Sequence, residues 1–329
     1  MGELWLNESM LGNLLECAAL IVVMVIATGV AINQFEKVAV DLRVRKLLLA
    51  SLLVGLSTSL PELFIALASS FEGNPQIALG DLMGANIANL SWVIGGAAIV
   101  GRVIPVVGDY LRGDLWVTMV LALTPFLLML DGGLSRLDGV ILIFGYLLYV
   151  NDLIHKGRFK IKQAKLNKHI ETRVHGYTER LAHLVKMVVS LIVLGVSARM
   201  LVQVSISIAS GLGASPFWVG LIVIAFGTTI PELVVSLEAV QKREASLVLG
   251  NLLGSVVVNS SLIMGLVAII SPMVLTETLQ KGLASLFLVI ILGVFWLFTR
   301  SKHRLDRWEG AVLVGFYLMF VGLQFLILR

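Results

Sequence analysis

Two five-residue stretches carry the chemistry of this chain: Thr58-Ser59-Leu60-Pro61-Glu62 and Thr228-Thr229-Ile230-Pro231-Glu232. Each places two hydroxyls, a proline and a carboxylate inside an apolar run. Proline has no N–H and clashes with the carbonyl four residues back, so it breaks or kinks a helix. Pro61 thereby releases the carbonyl of Ser57, and Pro231 that of Gly227. A backbone oxygen, hydroxyls and a carboxylate within one turn suit a hard cation, which takes oxygen ligands. They do not suit a soft metal, which takes Cys or His, and none of the five histidines lies near either stretch. A carboxylate deep in an apolar run is expensive and marks an ion path. The rival explanation, a protonated glutamate bonded to a neighbouring helix, serves one such residue better than two in matching settings.

Those residues must be held by membrane helices. The chain has 329 residues, 58% hydrophobic and 14% charged, whereas a soluble domain carries about 25% charged residues. So few charges cannot cover a water-facing surface. Taking about 20 apolar residues per crossing, spans are expected at 12–34, 46–71, 76–100, 114–131, 134–152, 182–211, 216–240, 245–271, 282–299 and 308–328. The first apolar run follows Glu3 and Glu8 rather than a basic segment, so it is expected to be a retained span. The net charge of +4 does not point to nucleic acid, because the basic residues sit in the gaps between apolar runs. The longest gap, 153–181, holds Lys156, Arg158, Lys160, Lys162, Lys165, Lys168, Arg173 and Arg180. Alternate gaps share this lysine and arginine excess, which marks the cytoplasmic side. Both termini are then expected outside and the 153–181 linker in the cytoplasm. The lone cysteine, Cys17, excludes an internal disulfide and a multi-cysteine metal site.

The two chemical stretches are copies in one register. Shifted by 170, Pro61 falls on Pro231, Glu62 on Glu232, Gly80 on Gly250, Gly84 on Gly254 and Asn89 on Asn259. Five spans per half is an odd number, so the second half enters the membrane in the opposite sense. The expected fold is therefore an all-α integral membrane protein of about ten transmembrane helices in two inverted-topology five-helix repeats, 1–152 and 182–329. Such transporters hold their site near the midplane between the repeats. In the span after each stretch, Asp81, Ala85 and Asn89, and likewise Asn251, Ser255 and Asn259, recur at i, i+4 and i+8 on one helix face. Either face could turn amide or hydroxyl oxygens toward the glutamates; for Asn89 and Asn259, bonding between helices explains the polarity as well. Asp81 could add a third charge to the site, but the pattern favours the outer mouth or a helix start for it. Gly80 and Gly84, and Gly250 and Gly254, form small-xxx-small pairs suited to close helix packing. Arg199 inside the sixth span reads as structural, and Trp5, Trp92, Trp218 and Trp308 as interface anchors near span ends.

Taken together, Ser57 to Leu63 with Gly80 to Asn89, and Gly227 to Leu233 with Gly250 to Asn259, resemble the two alpha repeats of the cation/Ca2+ exchanger superfamily, above all the prokaryotic sodium/calcium exchangers. The resemblance covers both repeats (about 46–100 and 216–271), the ten-span plan and the linker. It implies that Glu62 and Glu232 are the principal cation ligands. By the same resemblance Thr58, Ser59, Thr228 and Thr229 add hydroxyl or carbonyl oxygens, and Asn89, Ser255 and Asn259 are ligands on the following helices. Ser57 stands where the family has Gly, Ala85 where it has Ser and Asp81 where it has Asn, which makes Ser57 and Asp81 further candidates. Asn259 occupies a position that varies between Asp and Asn.

The resemblance further implies a secondary antiporter that is not an enzyme, has no cofactor, and moves Ca2+ against Na+ or H+ across the cell membrane. Its partners would be the lipid bilayer and small inorganic cations, with the oligomeric state undetermined. Ca2+/H+ or other cation/H+ exchange stays open, as does a non-transporting membrane sensor or scaffold. An intramembrane hydrolase is disfavoured, because hydrolysis needs no duplicated ligand set.

Overall fold

In a bilayer an apolar run satisfies its backbone only by closing hydrogen bonds within itself, and the chain follows that rule almost throughout. The computed structural model describes residues 8–41, 58–106, 109–155, 177–242, 246–274, 278–302 and 304–328. The first half contains α1 (Glu8–Asp41), α2 (Leu60–Phe71), α3, α4 (Asp109–Leu128) and α5 (Arg136–His155). Helix α3 runs Pro75–Ala88, widens into a π-turn at Asn89–Val93 and continues as Ile94–Gly101. The second half contains α6 (Tyr177–Leu212), α7, α8 (Ile230–Gln241), α9, α10 (Thr278–Lys302) and α11 (Arg307–Leu328). Helix α7 comprises Pro216–Val219, a π-turn Gly220–Ile224 and Ala225–Thr228. Helix α9 comprises Ser246–Val257, a π-turn Val258–Ile263 and Met264–Ile270. Among the described residues seven apolar helical runs are long enough to cross a membrane, with Leu60–Phe71 and Leu115–Asp131 as shorter apolar helices. The protein is an all-α, multi-pass membrane protein.

The internal repeat extends well beyond the stretch that the sequence aligned. Every described helix of the first half has a mate that starts 169 to 171 residues on: α1 and α6, α2 and α8, α3 and α9, α4 and α10, α5 and α11. Short strands join the helix ends and obey the same symmetry. β1 (Val103–Pro105) pairs antiparallel with β4 (Arg304–Asp306), and β2 (Gly133–Leu134) pairs antiparallel with β3 (Met273–Val274). Close approaches repeat too. A Cβ on Gly95 would stand 2.5 Å from the carbonyl oxygen of Gly310, and one on Gly139 would stand 2.6 Å from that of Gly265. Such crossings need small residues, since helices in lipid associate through packing rather than hydrophobic drive.

The core is α3. Every residue from Ile77 to Ala88 is buried, whichever way it faces. Helices α1, α5 and α6 instead show lipid a rank of exposed apolar side chains, among them Leu15, Ile26, Phe144, Leu147, Val188 and Ile192. Helices α1 and α6 lie along each other as the most extensively packed pair. That pair is not centred: α6 packs broadly on α2, and among the described residues α1 makes no comparable contact with the equivalent α8.

Two tryptophans overturn the interface-anchor expectation. Trp92 lies in the π-turn of α3, stacked on Phe226 and Tyr317 with ring centroids 5.1 and 6.0 Å away. Trp218 is 1% exposed, and its indole N–H donates to the carbonyl of Gln324 at 3.2 Å. Trp218 is a core residue and Trp92 is half-buried against the core, because α7 and α3 are buried over most of their length. Trp308, at the start of α11, is exposed as expected, and Trp5 lies outside the described residues. Arg199 joins α6 to the end of α2 by an ion pair to Glu72 at 2.7 Å, with side-chain exposures of 68% and 29%. An exposed pair contributes about 0.2–1 kcal/mol. Arg199→Ala should therefore lower thermal stability of the purified protein by less than about 1 kcal/mol; a larger loss would show the pair to be central.

Candidate cation-binding site

The first Pro-Glu stretch opens a helix, and the second interrupts one at the single residue Thr229, whose backbone stays in the right-handed helical region. Thr58 and Ser59 form a turn, after which α2 begins with Pro61 and Glu62 in its first turn. Helix α7 ends at Thr228, and α8 begins with Pro231 and Glu232 in its first turn. Proline is at home there, because the first N–H groups of a helix lack partners anyway. Each glutamate thus stands at the N-terminal end of a half-helix, where the helix dipole favours negative charge. The carbonyl expected to be freed by Pro61 belongs to Ser57, which lies outside the described residues, so that candidate has no structural reading.

The remaining candidates are brought into the protein interior. Glu62 and Glu232 are each 1% exposed. Oε2 of each has no hydrogen-bond partner. Ser59, Thr228 and Thr229 are buried, and Ser59 Oγ is unpartnered. The Thr229 hydroxyl donates back to the Ala225 carbonyl at 2.8 Å, leaving its lone pairs free to accept or ligate. Thr58 pairs with Ser255 across the two halves at 2.7 Å. Asn89 and Asn259 are each 1% exposed, both side-chain oxygens are unpartnered, and both sit at the opening of a π-turn. Single-turn π segments cluster at functional sites. Here Ser91 and Ser261, in matching positions, bond back to the carbonyls of Ile87 and Val257.

Asp81 departs from its expected place. It neither caps a helix nor faces an outer mouth: it is 0% exposed in the middle of α3. The Thr228 hydroxyl lies 3.4 Å from its Oδ1 and 3.3 Å from the carbonyl oxygen of Ala225, between which its one proton is shared. Among the described residues no three acidic, His or Cys side chains close on a single point. Any ion held by the two glutamates would therefore complete its shell with hydroxyl, amide and carbonyl oxygens.

Three buried polar residues were not found from the sequence. The amide of Asn86 donates to Ser260 Oγ at 2.7 Å, joining α3 to α9, and Asn86 Oδ1 is unpartnered. These two stand 174 apart, so a search at the repeat interval passes over them. Ser236 lies one turn after Glu232, buried and unpartnered, and its i+4 spacing was the available signal.

An inverted repeat, a buried carboxylate in the first turn of two equivalent helices and a shell of unsatisfied oxygens define a secondary-transporter architecture. The family model described as sodium/calcium exchanger protein matches residues 14–151 and 182–326, and the chain belongs to that family, within the cation/Ca2+ exchanger superfamily. The putative antiporter CaxA of Alkalimonas amylolytica is 26% identical over 89% of this chain and 91% of its own. The solved H+/Ca2+ exchanger CAX has the same fold at a TM-score of 0.74, with 17% identity over 96% of this chain and 84% of its own. The sodium-calcium exchanger NCX_Mj, soaked with Na+ and Sr2+, shares it at a TM-score of 0.61, with 23% identity over 95% of this chain and 97% of its own.

Proposed function

We propose that this protein is a secondary active antiporter that exchanges Ca2+ for Na+ by alternating access to one buried site, and that it is not an enzyme. The carrying observation is the pair of glutamates at equivalent repeat positions, each 1% exposed with an unpartnered carboxylate oxygen. Two such carboxylates balance one divalent cation. Thr58, Ser59, Thr228, Thr229, Asn89, Ser255 and Asn259 supply the neutral oxygens that hard cations need. The same oxygens serve Na+, so Na+ and Ca2+ exclude each other, and occupancy coupled to movement gives exchange without covalent chemistry. NCX_Mj is a sodium-calcium exchanger, which supports the sodium reading.

In this reading the halves 1–152 and 182–329 are joined by a cytoplasmic 153–181 linker. The protein sits in the cell membrane with both termini outside, as the lysine and arginine bias directs.

The test is Ca2+ uptake into proteoliposomes under an outward Na+ gradient and, separately, under a proton gradient. Sodium-driven uptake is expected. Uptake driven by protons alone would assign Ca2+/H+ exchange, and none under either gradient would leave a non-transporting membrane protein.

A further inference from the structure

The long helices α1 and α6 leave a groove where their seam faces lipid, toward the α6 N-terminus and so on the side of the 153–181 linker. Its volume is about 370 Å³, within the range of about 300–1,000 Å³ usual for small-molecule sites. Val23, Ala27 and Val30 form the α1 wall, and Val185, Val189 and Val193 the α6 wall. Short side chains on both sides leave a hollow between two otherwise closely packed helices. Ser190 also lines it, but its hydroxyl donates to the Met187 carbonyl at 2.8 Å and offers the groove no donor. From Val185 to Val193 the wall rises about 12 Å at 1.5 Å per residue. One leaflet supplies about 15 Å, half of a hydrocarbon core of about 30 Å. The hollow therefore has the polarity and length for a lipid tail within one leaflet.

Its charged lining residue, Lys186, stands at the end toward the linker. One turn nearer the membrane surface, Gln34 meets His183 Nδ1 at 2.8 Å and ties α1 to α6. Lys37 follows Gln34 on the same face of α1 and adds a second positive charge. Lys186 makes no ion pair among the described residues, and Glu179, two turns further out on α6, already has a partner. A lysine at the edge of an apolar wall lays its stem along that wall and carries its ammonium to the headgroup level.

The internal repeat offers a comparison within the same chain. Helices α1 and α6 are mates at the interval of 170, and their buried positions coincide: Met24 with Leu194, Ala27 with Ser197, Ala31 with Leu201. The equivalent place in the opposite leaflet has Glu16 for Lys186. It has the longer Met200, Leu15 and Leu20 for Val30, Val185 and Ser190. Short walls and positive charge thus coincide in the linker-side half.

We propose that this groove binds one anionic phospholipid from the linker-side leaflet, with an acyl chain between α1 and α6 and the headgroup phosphate on Lys186. A zwitterionic lipid brings its own cation against Lys186 and Lys37, so the site prefers a headgroup of net negative charge. Ile21, two residues before Val23, lies against Gly227, the neighbour of Thr228. The bound lipid therefore braces a helix that borders the cation site. Nothing in this lipid site depends on which ions are carried.

The test is native mass spectrometry of the full-length protein purified in detergent and exposed to equimolar dioleoyl phosphatidylglycerol and dioleoyl phosphatidylcholine. One tightly retained phosphatidylglycerol per chain is expected, favoured over phosphatidylcholine by at least about fivefold, the effect of one lysine near an anionic headgroup. Lys186→Gln should still retain a lipid but bring the two kinds close to parity, while Lys186→Arg should keep the preference. Val189→Phe, which fills the hollow, should lose the tightly held lipid of either kind. Val23→Phe should do the same from the opposite wall and guards against a folding failure of the first variant. Both positions are about half exposed, so the added ring meets lipid rather than packed protein. Equal retention of the two lipids by the wild type overturns the site. So does a preference that survives Lys186→Gln or is lost in Lys186→Arg, and so does a lipid still held by both phenylalanine variants.

Discussion

Replacing Glu62 and Glu232 together by glutamine should weaken Ca2+ binding by more than about 100-fold and abolish Ca2+ uptake. Groups that merely hydrogen-bond to a metal's ligands change affinity by about 10–100-fold; direct carboxylate ligands should do at least as much. Glutamine keeps the shape and one oxygen but removes the charge. The resulting site has neutral oxygens and Asp81 alone, which cannot balance a divalent ion in a dry interior. Because the two glutamates share one ion, the single variants are expected to add non-linearly, each already costing most of the affinity. Thermal unfolding separates lost binding from lost folding. Ca2+ at about 100 times its dissociation constant should stabilise the wild type by about 2.7 kcal/mol. The double variant should unfold cooperatively without that increment. Unchanged Ca2+ affinity in Glu62→Gln, Glu232→Gln would show that the site lies elsewhere.

Much of this was legible from residue types, and the unreadable parts share one cause. Pro61, Glu62, Pro231 and Glu232 are informative because polar groups are so costly in lipid that their placement is nearly a statement of function. The constant interval of 170 then fixes the inverted repeat, which the strand pairs β1 with β4 and β2 with β3 extend to the helix ends. Asp81 is misplaced because its stretch of α3 has no outer face: Ile77 to Ala88 is buried all round. Distance from the end of an apolar run is likewise no guide to bilayer depth when the run begins inside the core, as α7 does at Phe217 and Trp218. The π-turns at Asn89–Val93 and Val258–Ile263 escape a reading built on a 3.6-residue period. Each shifts the residues beyond it by a fraction of a turn, so the helical register of the first segment does not carry through to the last.

The largest structural effect is expected from two glycines that touch no ion. A Cβ on Gly80 would stand 2.8 Å from the backbone nitrogen of Leu221, and closer still to the carbonyl oxygen of Phe217. A Cβ on Gly220 would stand 3.0 Å from the backbone nitrogen of Asp81, and closer to the carbonyl oxygen of Ile77. The obstacles are backbone atoms of buried helices, which have no rotamer to move into, so α3 and α7 must separate. Overpacking typically costs about 1–3 kcal/mol; with backbone on both sides, Gly80→Ala and Gly220→Ala should each reach at least the upper end. The separation acts at the residue next to Gly80, pulling Asp81 away from Thr228, whose hydroxyl is already at the long distance of 3.4 Å. Both variants should therefore lose thermal stability and Ca2+ binding together, although neither removes a ligand. Gly315→Ala is the matched control: Gly315 lies in α11 with nothing within 4 Å of the added Cβ. Glycine inside a helix is less stable than alanine by about 0.5–1 kcal/mol, so this change should leave uptake intact and raise stability slightly. Wild-type stability and uptake in Gly80→Ala would mean that α3 and α7 do not approach so closely. The position of Asp81 beside Thr228 would then lose its support, because the same crossing holds both.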